Sequence, residues 1–322
     1  MIDVTAQHVL VTDWFLPDFE IERSALEAHG ITWSMPEWKS PPPRDEQIRL
    51  LLGRIQQSPR IDGVLFVLAP LPKEVIDALP PTCRHLQRVG IGLDTIDLDA
   101  TKARGMTVDN TPDYAIEEVA VHAMGMVLSL HRQLIATQSV LLGGQWKIRP
   151  PDPIERLSTL TLGLVGLGRI GRKFAEWMRP LVARVLYADP AVSSAPNMEA
   201  APLEHVLRES DILSLHCPLV PQTRGLINAQ ALQLMKPTAI LVNVARGGLI
   251  DADAVAAAVR GGRLAGLGVD VYEPEVLPPD SPLRSLGDRA ILTSHTAWYS
   301  RQSVVDCRTQ AIQKMIARLQ TP

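Results

Sequence analysis

An arginine, a carboxylate and a histidine each follow an apolar run in the last third of the chain, and together they could do acid–base chemistry on an anion. Arg246 follows AILVNVA, Glu275 lies in YEPE after LAGLGV, and His295 follows AILTS. Arginine binds anions through a fixed fork of donors, and histidine exchanges a proton near neutral pH. Each also has a simpler interpretation: Arg246 as a helix cap, Glu275 as a solvated acid, His295 as a loop residue.

The elements that must position these residues are strand-like runs alternating with helix-like segments. Such alternation predicts parallel sheets with helices on their faces. We therefore predict an α/β protein with two Rossmann-like or flavodoxin-like domains, each a doubly wound parallel sheet. Ligands bind beyond the carboxyl ends of such strands, so an arginine, an acid and a histidine at three strand ends of one sheet should share an edge. One long apolar helical stretch, starting at Tyr114, separates the two alternating regions.

A glycine-rich turn, Gly166-x-Gly168-x-x-Gly171, follows an apolar strand and precedes a helix. The first glycine permits a tight turn, the second lets the backbone approach a pyrophosphate, and the third allows close helix–strand packing. Asp189 ends the next strand, where it can accept hydrogen bonds from a ribose and would repel a 2′-phosphate. No arginine follows it directly, so the pattern predicts NAD rather than NADP. The alternative is an ordinary glycine-rich turn with a surface aspartate.

Further cofactor contacts are predicted in this turn and at the ends of the later strands. They are Arg169, Ile170, His216, Cys217, Pro218, Thr223, Val244, Ala245, Asp270 and His295. For His216, which has no obvious orienting partner, a place at the cofactor rim and a structural role both stay open.

The bulk composition narrows the class of protein. A chain of 322 residues suggests two domains, and 46% hydrophobic with 21% charged residues is typical of a packed soluble protein. A net charge of −3 gives no general attraction to nucleic acid or acidic membranes. Neither a signal peptide nor an apolar run of about 18 residues is found. Cys83, Cys217 and Cys307 have no metal-ligand or disulfide spacing, so we expect no metal and a cytoplasmic location.

The sequence resembles the D-isomer-specific 2-hydroxyacid dehydrogenase family over most of its length. The matching segments, in the family's order, are VGIGLDTIDLDATKARGMTVDNTPDYAIEEVAVHAM, LGLVGLGRIG, LVNVARGGLIDADAV, LGVDVYEPE and LTSHTAWYS. The HTAWYS end most resembles the branch that includes the C-terminal-binding proteins, which are corepressors with this dehydrogenase fold. Two departures are Ser294, where the family usually has proline, and Val276, where proline often follows the acid.

The resemblance implies a role for each strand-end residue. Arg246 matches the substrate-binding catalytic arginine, and His295 matches the acid/base. Glu275, rather than Glu273, matches the acid that pairs with the histidine. The implied reaction interconverts a D-2-hydroxy acid and a 2-keto acid with NAD.

The resemblance also implies how a small anionic substrate is bound. The Gly90-Ile91-Gly92 turn would receive its carboxylate through backbone N–H groups, and Arg88 would face it. Trp298 would line the pocket, with packing as its alternative role. Which acid is bound is not set by the sequence, because it depends on the geometry of the loops at 14–19, 68–71 and 88–93.

The implied domain layout places the substrate-binding domain at 1–112 plus 296–322 and the NAD-binding domain at 113–295, with the active site in the inter-domain cleft. The helix around Val119–Leu130 resembles the region that forms a homodimer in the family. Two other functions stay open. Relatives of this fold oxidise phosphite, so a phosphorus oxyacid or phosphonate could be the substrate, and the corepressor resemblance allows a non-enzymatic NAD(H)-sensing scaffold.

Overall fold

The computed structural model describes residues 6–14, 16, 18–36 and 42–321. It divides into two compact units, Met1–Ala115 with Ser300–Pro322 (unit 1) and Ile116–Tyr299 (unit 2). The unit boundaries therefore lie at 115 and 299, where the sequence predicts 112 and 295. Positions 15 and 17, in one of the predicted substrate loops, lie outside the described residues.

Unit 1 is built on a five-stranded parallel sheet. Its first nine elements are β1 (His8–Val11), α1 (Glu20–Ala28), β2 (Thr32–Ser34), α2 (Arg44–Gln57), β3 (Gly63–Phe66), α3 (Lys73–Ala78), β4 (His85–Arg88), α4 (Leu98–Ala103) and β5 (Thr107–Asp109). The strand order is β2-β1-β3-β4-β5. Every residue of β1, β3 and β4 is buried, as expected for central strands covered on both faces.

Unit 2 is built on a seven-stranded parallel sheet. Its elements are α5 (Ile116–His131), α6 (Leu134–Leu142), β6 (Thr161–Val165), α7 (Arg169–Met178), β7 (Arg184–Ala188), β8 (Glu199–Ala200), α8 (Leu203–Glu209), β9 (Ile212–Leu215), α9 (Ala229–Leu234), β10 (Ile240–Asn243), α10 (Ala252–Arg260), β11 (Gly266–Val269) and β12 (Ala290–Leu292). The strand order is β12-β11-β10-β9-β6-β7-β8. Arg246, Glu275 and His295 therefore follow three adjacent strands, and the α/β prediction is confirmed.

The long apolar stretch after Tyr114 is helical, as predicted, but it forms two helices, α5 and α6, rather than one. Gln133 takes the left-handed backbone conformation with φ 50° between α5 and α6. Its side-chain amide exchanges two hydrogen bonds with the backbone of Asp152, and this contact holds the break. Among the described residues no single helix is long and apolar enough to cross a membrane; α5 and α6 pass that test only as a pair bent by 55°.

The last helix, α11 (Arg301–Gln320), returns to unit 1 and packs against α1 and β4. Ser300 and Ser303 form a capping box that fixes its start. Arg308, 3% exposed, forms an ion pair with Glu22, which is 1% exposed, and with Asp18. A buried pair of this kind specifies how α11 sits on α1, since neither charge can lose its partner without a large cost.

His85 is a buried histidine of unit 1 that is sensitive to acid. It is 2% exposed on β4, its Nδ1 lies 2.8 Å from Thr107 Oγ1, and its Nε2 has no partner within the described residues. Burial lowers the pKa of His85 to about 4, from 6.5. Between these two pH values the unfolded chain binds the proton more readily, so the folded state loses stability as the pH falls through that window.

We predict that His85→Gln reduces the acid sensitivity of the protein. The pKa shift corresponds to a loss of about 1–2 kcal/mol between pH 7 and pH 5 in the parent, and the variant should lack this loss. Urea unfolding curves at both pH values measure it, with exposed His29→Gln as the control. An equal loss in the parent and in His85→Gln would contradict the prediction.

Candidate active site

The predicted dinucleotide turn lies between β6 and α7, and the surrounding atoms require glycine at two of its three glycine positions. Gly166 has φ 92°, and a Cβ there would lie 2.6 Å from Cys217 N. A Cβ on Gly171 would lie 2.5 Å from Gly166 O. Gly168, by contrast, caps α7 and has open space where its Cβ would be. The turn is thus closely packed at Gly166 and Gly171 and open at Gly168, at the N-terminus of α7. This open helix N-terminus is suited to bind the phosphates of a dinucleotide.

Asp189 follows β7 and is half-buried. Its Oδ2 accepts from Leu167 N at 2.7 Å and its Oδ1 from Ala191 N at 2.8 Å. The carboxylate is therefore fixed beside the glycine turn by backbone donors. That position fits an acceptor for a ribose hydroxyl pair.

His295 lies beyond β12 in a left-handed backbone conformation, with φ 54°. Its N–H donates to Asp270 O at 2.7 Å. On the ring, Nδ1 hydrogen-bonds Glu275 Oε1, and Nε2 has no protein partner within the described part of the chain. The imidazole is 40% exposed. A carboxylate on one nitrogen orients the ring and leaves the other nitrogen for proton exchange.

Asp270 holds the His295 turn together. Its side chain is fully buried, and its carboxylate accepts from Thr293 Oγ1, from Thr296 N at 2.9 Å and from Ala297 N at 3.0 Å. Predicted as a cofactor contact, Asp270 is seen here to position the loop that carries His295. A direct contact between its carboxylate and the cofactor stays a prediction.

Two further side chains support this loop, and sequence reasoning missed both. His122 on α5 places Nε2 at 3.0 Å from Thr293 Oγ1 and 3.7 Å from Asp270 Oδ1. The Tyr272 hydroxyl lies 2.8 Å from Thr293 O and 3.0 Å from Val269 O, and burial raises its pKa to about 12. A histidine inside an apolar helix was the available signal for His122, but its partner is far away in the sequence.

Arg246 is half-buried beyond β10 and donates from Nη1 to Ala245 O at 2.6 Å. The next residue, Gly247, lies against the segment after β11, because a Cβ there would be 2.0 Å from Tyr272 C. The backbone segments carrying Arg246 and the YEPE acids are therefore in direct contact. Glu273, the first of these acids, pairs with Arg224 at 2.5 Å rather than with the histidine.

The other predicted cofactor contacts lie around the same strand ends. His216 packs on the Phe174 ring at 5.1 Å, its Nε2 lies 2.9 Å from Ser214 Oγ, and burial lowers its pKa to about 3. Thr223 closes its own loop by donating to Pro218 O at 2.7 Å. The remaining members of the set differ in exposure: Arg169 and Pro218 are exposed, Ile170 and Ala245 are half-buried, and Cys217 and Val244 are buried.

Arg88 at the end of β4 is 8% exposed, and its guanidinium hydrogen-bonds the backbone of the turn that follows. It donates from Nη1 to Val89 O at 2.8 Å and from Nε to Gly92 O at 3.0 Å. The guanidinium carbon also lies 5.9 Å from the centre of the Phe66 ring. Arg88, expected to face the substrate, therefore has a bonded role in shaping the turn.

The Gly90–Gly92 turn presents unbonded N–H groups. The carbonyls of Gly90 and Ile91 accept from Thr111 N at 3.0 Å and from Asn110 Nδ2 at 2.7 Å. Gly90 N donates to Thr111 Oγ1, whereas the N–H groups of Ile91 and Gly92 have no acceptor among the residues that the structure describes. With its carbonyls bonded to groups within unit 1, the turn is suited to receive an anion on these N–H groups.

Trp298 follows the His295 turn and is half-buried. Its ring lies edge-on to Tyr299, with 5.7 Å between the ring centres. Tyr299 is 61% exposed, so the aromatic pair lies at the surface of unit 2.

A dinucleotide turn in the same sheet as a histidine paired with a carboxylate is an arrangement suited to hydride transfer, so fold and site define an NAD-dependent oxidoreductase. Residues 124–297 match the family described as D-isomer specific 2-hydroxyacid dehydrogenase, NAD binding domain. The chain belongs to the D-isomer-specific 2-hydroxyacid dehydrogenase family, and NAD is its cofactor. The predictions of family, enzyme class and cofactor are confirmed.

Similar proteins support this membership. A glyoxylate reductase of Thermofilum pendens is 35% identical over 80% of this chain and 76% of its own length. A D-3-phosphoglycerate dehydrogenase of Mycobacterium bovis is 37% identical over 80% of this chain, which spans about half (48%) of that relative. The solved structure of D-lactate dehydrogenase from Aquifex aeolicus, complexed with NAD and lactic acid, has TM-score 0.84, 26% identity and coverage of 97% and 95%.

We predict that Gly168→Ala weakens NADH binding without destabilising the protein. The added methyl meets no protein atom within 4 Å, but it lies where the phosphates would approach the backbone. NADH titration by fluorescence should show a loss of affinity of about tenfold or more, roughly 1.4 kcal/mol. Gly53→Ala, a helix position with equally open space in unit 1, is the control and should bind like the parent. Unchanged affinity in Gly168→Ala would contradict the placement of the phosphates.

Proposed function

We propose that this enzyme interconverts a small D-2-hydroxy acid and its 2-keto acid, with His295 as the acid/base. The observation that carries the proposal is the His295–Glu275 pair beyond β12, with Nε2 of His295 left without a protein partner among the described residues. In oxidation Nε2 accepts the hydroxyl proton, and in reduction the imidazolium returns it to the keto oxygen. Glu275 holds the ring in place through Nδ1. NAD, when bound, takes up or supplies the hydride.

Arg246 supplies the cation for the substrate in this proposal. It lies beyond β10, two strands from His295 in the same sheet, and its fork can bind a carboxylate and polarise the C2 oxygen. The N–H groups of Ile91 and Gly92 bind the substrate carboxylate. Trp298 contributes a flat apolar surface that favours apolar 2-keto acid side chains.

The cofactor is held in the proposal by the glycine turn and by residues at the strand ends. The N-terminus of α7 binds the pyrophosphate, and Asp189 accepts from the adenosine ribose, which excludes a 2′-phosphate by charge repulsion. His216, with its lowered pKa, is neutral at physiological pH and packs beneath the turn. The chain's place nearest the corepressor-like branch stays a prediction.

We predict that His295→Ala lowers turnover by about 10²-fold or more while NADH binding persists, because the general acid is lost but the cofactor site is intact. The assay is NADH oxidation with glyoxylate, hydroxypyruvate, pyruvate and phenylpyruvate; glyoxylate comes first because relatives are glyoxylate reductases. His205→Ala, an exposed histidine on α8, is the control. Near-parental turnover of His295→Ala would contradict the assignment of His295 as the acid/base.

A matched pair of acids sharpens this test. Glu275→Gln should lower turnover by about tenfold or more, whereas Glu273→Gln breaks an exposed ion pair with Arg224 and should cost little. Reduction of NAD by phosphite or a phosphonate, without keto-acid turnover, would favour the phosphorus oxyacid reading. Intact NADH binding with no turnover on any of these compounds would favour the scaffold.

We also propose that the enzyme is a homodimer. In α5, where the dimer region is expected, Val119, Met126, Val127 and Leu130 are buried within unit 2. Val121 on α5 is 54% exposed, and more exposed apolar side chains follow on α6 and the next segment, where Leu134, Leu141, Leu142, Trp146 and Ile148 are 53–89% exposed. Several large exposed apolar side chains in one segment of the chain are what an interaction surface requires.

We predict that Trp146→Glu combined with Ile148→Glu converts a dimer into a monomer, because two charges would have to be buried in an apolar contact. Light scattering after size exclusion measures the mass. Val305→Glu on α11 changes an exposed apolar residue elsewhere and should keep the parental mass. A monomeric parent, or a dimeric double variant, would contradict the proposal.

A cytoplasmic location also belongs to the proposal. Cys83, Cys217 and Cys307 are all free and buried, and burial raises the pKa of each thiol, to about 12 for Cys83 and about 11 for the other two. Free thiols are typical of a reducing compartment.

A further inference from the structure

A second buried aspartate closes a strand-end loop in unit 1, as Asp270 does in unit 2. Asp13 follows β1 and is 1% exposed. Its Oδ1 accepts from Val67 N at 2.9 Å, and its Oδ2 accepts from Leu68 N at 2.6 Å and Ala69 N at 2.9 Å. Thr12 Oγ1 adds a fourth donor at 2.8 Å. Three successive N–H groups of the loop after β3 therefore converge on one carboxylate.

These hydrogen bonds are what keeps the Asp13 carboxylate buried. Within the described part of the chain, no lysine, arginine or histidine forms an ion pair with it. A buried carboxylate without a cation is costly unless its oxygens are bonded, so loop 67–69 must keep its N–H groups turned towards Asp13. The backbone of this loop is thereby fixed by a side chain from a different strand.

The loop held by Asp13 borders the Gly90–Gly92 turn. Strands β3 and β4 are neighbours with Phe66 in register with Arg88, and Val89 N donates to Phe66 O at 2.8 Å. Val67, Ala69 and Leu71 are buried, whereas Leu68 is 48% exposed. The hydrogen bonds to Asp13 therefore fix a loop in which Leu68 is the one large exposed apolar side chain. Leu68 lies at the same edge of the sheet as the N–H groups of Ile91 and Gly92.

We propose that Asp13 is a positioning residue for substrate selection: it fixes Leu68 as the apolar wall that meets the C3 substituent of a 2-keto acid. This inference rests on the proposed function, in which the turn after β4 binds the carboxylate. A substituent next to C2 then extends along the edge towards the neighbouring loop. Leu68 favours small or apolar substituents over charged ones, because a charged group would lose solvation against its side chain.

The test compares Asp13→Asn with Asp62→Asn. Asp62 is 7% exposed and accepts from His8 N at 2.8 Å, but it precedes β3 and so lies at the opposite edge of the sheet.

The readout is the ratio of kcat/KM for glyoxylate and phenylpyruvate, with NADH affinity measured alongside. Asp13→Asn turns an amide N–H towards the loop donors, so we expect KM for phenylpyruvate to rise about tenfold relative to that for glyoxylate, which shifts the ratio by a similar factor. NADH affinity and saturating kcat should stay within about twofold of the parent. Asp62→Asn should keep the parental ratio.

Two milder variants keep the proposal testable if Asp13→Asn folds poorly. Thr12→Val removes one donor and keeps the shape of the side chain, so it should shift the ratio in the same direction by a smaller factor. Leu68→Ala should relax the preference directly, because an exposed residue can be truncated without unfolding the sheet. A parental ratio in Thr12→Val and in Asp13→Asn would overturn the role of Asp13, as would an equal shift in Asp62→Asn.

The failure of this inference and that of the proposed function are distinguishable. A parent enzyme that turns over none of the keto acids overturns the proposed function, and the selection role with it. A parent that turns them over while the Asp13 variants keep its ratio overturns the selection role alone.

Discussion

The geometry of the active site depends on the burial of one carboxylate, that of Asp270. Removed from water, its oxygens must be satisfied by protein donors, and the loop after β12 supplies them from Thr293, Thr296 and Ala297. This requirement holds the backbone of His295 at φ 54°, a conformation that costs a non-glycine residue about 1–2 kcal/mol. The hydrogen bonds to Asp270 offset that cost. The orientation of the imidazole towards Glu275 is therefore set before any ligand binds.

Sequence patterns predicted the parts of this site that depend on local chemistry. The glycine turn was predictable because its steric demands leave few residue types available. The common position of His295, Glu275 and Arg246 was predictable because parallel strands bring their carboxyl ends to one edge of the sheet. The support for the histidine loop was not predictable, since His122 and Thr293 meet only through the tertiary fold. The position of Asp270 in the sequence predicted only a cofactor contact. Its structural role in the His295 loop corresponds to no sequence motif.

In the fold, too, features set by local patterns were predictable and those set by tertiary contacts were not. Periodicity predicted the buried strands, but it did not reveal the end of α5, because no proline or glycine marks the break and Gln133 enters the left-handed conformation through its bonds to Asp152. β8 has two exposed residues, too few to leave any periodic signal. In unit 1, the role of Asp13 lies in its bonds to a loop more than fifty residues away. Polar contacts across long separations are thus what sequence reasoning misses here.

The missing side chain of Gly247 links two parts of the chemistry. A Cβ there would overlap the backbone at Tyr272, so the segments carrying Arg246 and the YEPE acids pack main chain to main chain. Neither segment can shift without displacing the other, so the spacing between Arg246 and the YEPE acids is fixed by the backbone. In the proposed mechanism, substrate preference is then set by side chains elsewhere, such as Leu68 or Trp298, while Arg246 and the YEPE acids keep their mutual spacing.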